Sequence, residues 1–293
     1  MFSKLSVSRK CFIVLNSIFI SLVTLSCIFP FTHILALSLS SKDAIVSGIV
    51  GFWPVGITLQ NYQYVIKDFN FYRSFMISMQ REFLGITVCF LMTLLSAYPF
   101  SLSKSKFHAR QFYVWFYIVA MLFYAGMIPT YLIVASTGLI DSIWSLILPG
   151  AVPIFYVLLL QNFIKELPQS ISDAAFIDGA GYFMLLFRIL MPLCKPAIAS
   201  IILFIAVDHW NAWFDGMLYI NNNMKFPLQT YLRSVIVKIN INFITDVQSL
   251  SDMVASTGAD TAKIFVSMVP ILAVYPFIQK NFMTGIVLGS VKE

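Results

Sequence analysis

Residues 208–215, DHWNAWFD, bring two carboxylates, an imidazole, an amide and two indoles together at the end of an apolar run. An acid in such a place is costly in hydrocarbon, so Asp208 needs a water-filled path or a polar partner. Sugars present hydroxyl groups and flat apolar ring faces, and Trp210 and Trp213 beside Asp208, Asn211 and Asp215 suit both. Tyr124, with Gln161 and Asn162, belongs to the same type of candidate. These residues also admit a structural reading. Tryptophans gather at membrane boundaries as an interfacial belt, and Asp208 and His209 can hydrogen-bond each other.

Covalent chemistry finds no support here. Asp208–His209 has no nucleophile or second acid at a matching spacing elsewhere in the chain. Cys11, Cys27, Cys89 and Cys194 lie far apart with no CxxC pair, and His33, His108 and His209 share no ligand spacing. We therefore expect no catalytic residue and no metal. The sequence GxxxxGKS/T is missing, so a nucleotide would have to be held by another chain.

A second segment carries mechanical rather than chemical content. Residues 168–179, PQSISDAAFIDG, read as a short surface helix: Pro168 fits a first turn, Ala174 and Ala175 favour helix, and Gly179 can take the left-handed conformation that ends it. The two alanines leave little bulk, which lets a partner surface approach, and Phe176, Ile177 and Tyr182 can supply apolar anchors. Residues 183–191 are amphipathic, and Pro192 and Pro196 set the angle at which the chain returns to an apolar run. The plainer alternative is an amphipathic helix lying on lipid headgroups.

The elements that must position these groups are membrane helices. Of the 293 residues 59% are apolar and only 11% charged, against roughly a quarter charged in soluble domains, and the mean hydropathy is +0.84. About six apolar stretches, at 11–36, 83–102, 112–135, 143–163, 197–217 and 264–282, approach the length a helix needs to cross the hydrocarbon core. Arg81 and Glu82 stand in front of the second. The first follows Lys4, Arg9 and Lys10 but is too long for a cleaved signal, so it reads as a retained anchor.

Residues 103–110 hold Lys104, Lys106 and Arg110 with no acid, whereas residues 136–141 hold no base, which by the positive-inside rule places both termini in the cytosol. The same assignment accounts for the net charge of +6 without a nucleic-acid surface. Residues 1–74 then form an anchor and an external segment. Residues 75–284 form the core, with a cytosolic loop at 164–196 and an external loop at 216–263, and 285–293 a cytosolic tail. The external loop reads as short helices joined by turns, and its bases Lys225, Arg233 and Lys238 suit an acidic ligand or simply a solvated face.

The acidic-Ala-Ala of Asp173, Ala174 and Ala175, then Gly179, Ile189, Met191 and Pro192, resembles the cytosolic coupling loop of permease subunits of ABC importers, with aspartate where glutamate is usual and Met191 where leucine is usual. The run WPVGITLQNY, an irregular surface loop by its lack of helical period, resembles the sugar class in Pro54, Thr58, Asn61 and Tyr62, and the tail NFMTGIVLGSVKE resembles that of the smaller membrane subunit of maltose-type importers. The resemblance implies an all-α integral membrane protein of the type I ABC importer permease fold, with a coupling helix between spans four and five.

It implies a non-catalytic subunit of an ATP-driven, binding-protein-dependent importer of oligosaccharides in a bacterial cytoplasmic membrane, including systems for uronate-rich chains such as alginate. The partners would be a second, longer permease, two ATPase subunits that hold ATP and magnesium, and an external solute-binding protein. Asp173, Ala174, Ala175, Phe176, Asp178, Gly179, Ile189 and Pro192 would couple to the ATPase, and Gly289, Ser290, Val291 and Lys292 would reach into it. The rival is an ion-gradient-driven secondary transporter, for which Asp208 is a suitable acid but no related second half answers it.

Overall fold

The computed structural model of the protein describes residues 7–123, 125–242, 257–274 and 276. Among them the chain is helical: α1 Val7–Ser38, α2 Lys42–Val46, α3 Gln60–Lys67, α4 Phe69–Ser101, α5 Arg110–Leu122, α6 Met127–Ser136, then, after two 3-10 turns, α7 Ile154–Glu166. There follow α8 Gln169–Ile177, α9 Tyr182–Leu193, α10 Lys195–Asn211, α11 Phe214–Tyr219, α12 Leu228–Asn242 and α13 Thr257–Val274. Among the described residues three helices, α1, α4 and α13, are long and apolar enough to cross a membrane singly, and three bent pairs bring the total there to as many as six spans. Phe12, Leu15, Phe19 and Leu22 on α1 stand exposed, as a lipid-facing helix requires.

The breaks have local causes. Pro149 and Pro153 interrupt the fourth span, leaving 3-10 turns at Ile143–Leu146 and Leu148–Gly150 before α7, with a bend of 50°. Pro192 has no amide hydrogen to return to Arg188, and the preceding turn widens to a π-helix at Leu185–Leu190. Two expected boundaries move. The second span begins at Phe69, so Arg81 and Glu82 lie inside it rather than in front of it. The sixth includes residues 257–263, a stretch expected to be loop.

Chain contacts divide the molecule into two units, residues 1–71 with 234–269, and residues 72–233 with 270–293. In the first, Asn61 is buried and its Nδ2 donates to the carbonyls of Ser38 (3.0 Å) and Ser40 (3.1 Å), closing the end of α1. Thr58 N–H donates to Leu39 O at 2.9 Å, and the hydroxyls of Tyr62 and Ser38 lie 2.8 Å apart. The run WPVGITLQNY is thus irregular only as far as Leu59, and its Thr, Asn and Tyr are a clamp on α1. Lys263 Nζ meets Asp68 (2.9 Å) and Asp260 (3.3 Å) in the same unit.

The second unit holds the main core, in which Leu94 of α4, Val157 and Leu160 of α7, Leu185 of α9 and Ile201 of α10 are fully buried. Ala175 of α8 joins this cluster, so the short surface helix is anchored to membrane helices rather than loosely tethered.

Candidate substrate path and coupling helix

Arg81 of α4 is the residue that organises the polar cluster, although its place inside a span hid it from the hydropathy pattern. Its side chain is 3% exposed. Nη1 donates to the Ala212 carbonyl and to Asp215 Oδ1, each at 3.2 Å, and Nη2 to Asp215 Oδ2. A guanidinium in this setting needs a paired acid, and the planar fork takes the carboxylate two-pronged. Asp208 accepts from Tyr156 Oη at 2.7 Å, whereas His209 Nε2 turns to Cys89 Sγ at 3.5 Å. The two neighbours therefore satisfy different partners. Gly85 permits the His209 position, since a Cβ there would fall 2.7 Å from Nε2.

Arg81, Tyr156, Asp208, His209, Asp215 and Tyr219 line a cavity of about 390 Å³. One guanidinium against two carboxylates leaves it biased toward negative charge, so it favours hydroxyl donors over anions. A second hollow of about 450 Å³ is bordered by Asp208, Asn211, Trp213 and Asp215. Arg233 lies over the Trp213 ring, its Cζ 5.1 Å from the centroid.

Trp210, grouped with these by sequence, departs from them. It is buried, edge-on to Phe75 at 6.1 Å, because the helix turn carries it to the packed side. Tyr124 lies outside the described residues. Among those that are described, no group of three or more His, Cys, Asp or Glu side chains is placed to hold a metal.

Elsewhere in this unit, α8 ends as its sequence predicts. Gly179 has φ +81°, Ala180 N–H reaches back to Ala175 O at 2.9 Å, and Gly179 N–H to Phe176 O at 3.1 Å. This pair of bonds is the Schellman closure of a helix end. The two alanines separate: Ala175 is 6% exposed and packs inward, while Ala174 faces out with Asp173, Asp178 and Ile177. Close approach by a partner is thus open at Ala174 and closed at Ala175.

Phe176 packs edge-on against Tyr182 at 5.3 Å and lies under Lys106 Nζ, 5.1 Å from the ring centroid. Lys106 also donates to Asp173 Oδ1 at 3.3 Å, linking the basic stretch after α4 to α8. Ile189 is half-buried on the core, and Pro192 sits in the last turn of α9. Gly289, Ser290, Val291 and Lys292 lie outside the described residues.

Beyond the path, Asp141 adopts φ +64° and accepts from the backbone N–H groups of Asn221 (3.2 Å) and Asn222 (3.1 Å) and from Lys225 Nζ (3.0 Å). The Asn222 amide, then Lys225, holds this carboxyl below the usual range. Lys225 is therefore engaged, and is not part of a free basic face.

No protein-family model matches the chain. Over 276 residues it is 36% identical to the polygalacturonan/rhamnogalacturonan transport system permease protein YtcP of Bacillus subtilis (strain 168), covering 94% of this chain and 96% of the relative. Over 283 residues it is 38% identical to Protein LplC of the same organism, covering 97% and 95%. A solved bacterial ABC transporter, described as involved in the import of the acidic polysaccharide alginate, contains a chain that superposes with a TM-score of 0.85 at 29% identity, covering 94% of this chain and 98% of that one.

Proposed function

Because the chain belongs to the permease subunits of binding-protein-dependent sugar ABC importers, we propose that it forms one half of an oligosaccharide path and receives the ATPase stroke through α8. The observation that carries this reading is the α8 geometry: a helix closed at Gly179, rooted in the core through Ala175, with Ala174 and Ile177 left outward. Such an element passes on displacement as a rigid body. Asp173, Phe176 and Asp178 border the same outward face, and Ile189 and Pro192 connect it through α9 to the span that carries Asp208.

The proposed assembly has a second, longer permease, two ATPase subunits holding ATP and magnesium, and an external binding protein. It stands in a bacterial cytoplasmic membrane with both termini of this chain inside. The residues at 289–292 would extend toward the ATPase pair. This chain would bind no cofactor and catalyse no step itself.

For substrate we propose an acidic oligosaccharide of the uronate type, supported by the substrates named for YtcP and for the alginate transporter. The inner cavity, with its surplus carboxylate, is a poor seat for a uronate charge, so that charge would meet Arg233 beside Trp213. Hydroxyl groups would meet Asp208, Asn211 and Asp215. The test is a reconstituted complex with its binding protein, read by ATPase stimulation and uptake for uronate against neutral oligosaccharides. Stimulation by neutral chains alone would refute the substrate, and an assembled Ala174→Trp variant stimulated as strongly as wild type would refute the coupling role.

A further inference from the structure

A groove of about 350 Å³ lies beside the coupling helix, bordered by Leu95, Tyr98, Leu102, Lys106, Tyr182 and Phe183 among others. Its walls are mostly apolar, yet one lining residue, Tyr98, is only 7% exposed and carries a buried hydroxyl with no hydrogen-bond partner among the described residues. An orphaned buried hydroxyl is uncommon and calls for a missing acceptor or donor. Above the groove, Leu91 and Leu95 are exposed on one face of α4 at i and i+4, with Leu102 two turns further on, so the apolar strip runs from the membrane span into the groove without interruption. At its other end stands Lys106, in a stretch with Lys104 and Arg110 and no acid.

An apolar strip continuous with the bilayer, a hydroxyl in need of an acceptor, and a cation where the helix leaves the hydrocarbon match the parts of one ligand in order. We propose that the groove holds an anionic phospholipid of the surrounding membrane, its acyl chain along Leu91, Leu95 and Leu102, its phosphate at Lys106, and its phosphate or ester oxygen accepting from Tyr98 Oη. An ATPase surface would fill the groove but not the strip above it, which lies within the span.

Lys106 also holds Asp173 and caps the Phe176 ring, so a phosphate draws on the same ammonium that tethers α8. The lipid thereby tunes how firmly the coupling helix is held, a consequence that rests on the coupling role proposed above.

The test uses the assembled transporter in nanodiscs, with phosphatidylglycerol as probe and phosphatidylcholine as control, read by native mass spectrometry of retained lipid. Selective retention of phosphatidylglycerol is expected. It should fall about fivefold in Lys106→Gln, the factor for one basic side chain at an anionic surface, and further in Leu102→Trp, which fills the groove. Lys106→Gln, at a side chain one-third exposed, serves if Leu102→Trp fails to assemble.

Equal retention of both lipids, or retention untouched by both variants, overturns the site. Selective, variant-sensitive retention with unchanged stimulated ATPase supports the site and overturns its action on α8.

Discussion

Arg81 and Asp215, 134 residues apart in the chain, meet as a two-pronged ion pair that fastens α11 to the middle of α4. Arg81 is buried and Asp215 only partly so, so removing one member strands the other at a cost below the roughly 3–5 kcal/mol of a fully buried pair, whereas replacing both with apolar residues is far milder. Arg81→Ala and Asp215→Leu should each lower the thermal midpoint of the purified subunit sharply. The double variant Arg81→Met with Asp215→Leu should recover most of the loss. A double variant as damaged as the singles would mean that Arg81 acts on something other than Asp215.

Gly85 makes room for His209. In Gly85→Ala the new methyl must displace the imidazole or spread α4 from α10, an overpacking worth about 1–3 kcal/mol. Combined with His209→Ala, which vacates the space, the variant should regain the stability of His209→Ala alone. Persistent damage in the double variant, measured by thermal unfolding in detergent, would place the strain elsewhere.

The adjacent alanines of α8 should respond differently to bulk. Ala174→Trp projects outward and should leave assembly temperature and yield of the subunit unchanged while abolishing most binding-protein-stimulated ATPase activity. Ala175→Trp intrudes on the Leu160 and Ile201 core and should cost folded yield first. Gly179→Ala adds about 1–2 kcal/mol of left-handed strain at the helix end. If both tryptophan variants lost yield equally, the outward placement of Ala174 would be wrong.

Much of this was legible in sequence because it depends on runs and periods. Apolar stretches of membrane length announce spans, and a glycine after Asp-Ala-Ala announces a helix end. What escaped depends on contacts made over long separations. Arg81 read as a boundary because hydropathy scores the base without its acid, which lies far along the chain. Trp210 and Trp213 looked equivalent, since only the point at which α10 stops decides that one packs on Phe75 and the other borders the outer hollow. The clamp of Asn61 on α1 looked like loop, because carbonyls left open at a helix end are invisible in a list of side chains.

Asp141 gives a pH dependence outside the spans. Its folded-state pKa is depressed, first by the Asn222 amide and then by Lys225. The stabilisation is therefore complete above the ordinary carboxylate value and disappears as pH falls through the lower folded value. Amide exchange at Asn221 and Asn222 should stay slow at neutral pH and through mild acidity, then accelerate, after correction for intrinsic rates, only below the usual carboxylate range. Asp141→Asn removes the carboxylate charge that Lys225 meets and weakens the acceptor for both amides, so exchange at these two amides should be faster than wild type at neutral pH and flat with acidification. Protection in Asp141→Asn equal to wild type would show that this turn is held by the Asp141 N–H to Tyr219 carbonyl bond, at 2.8 Å, and not by the carboxylate.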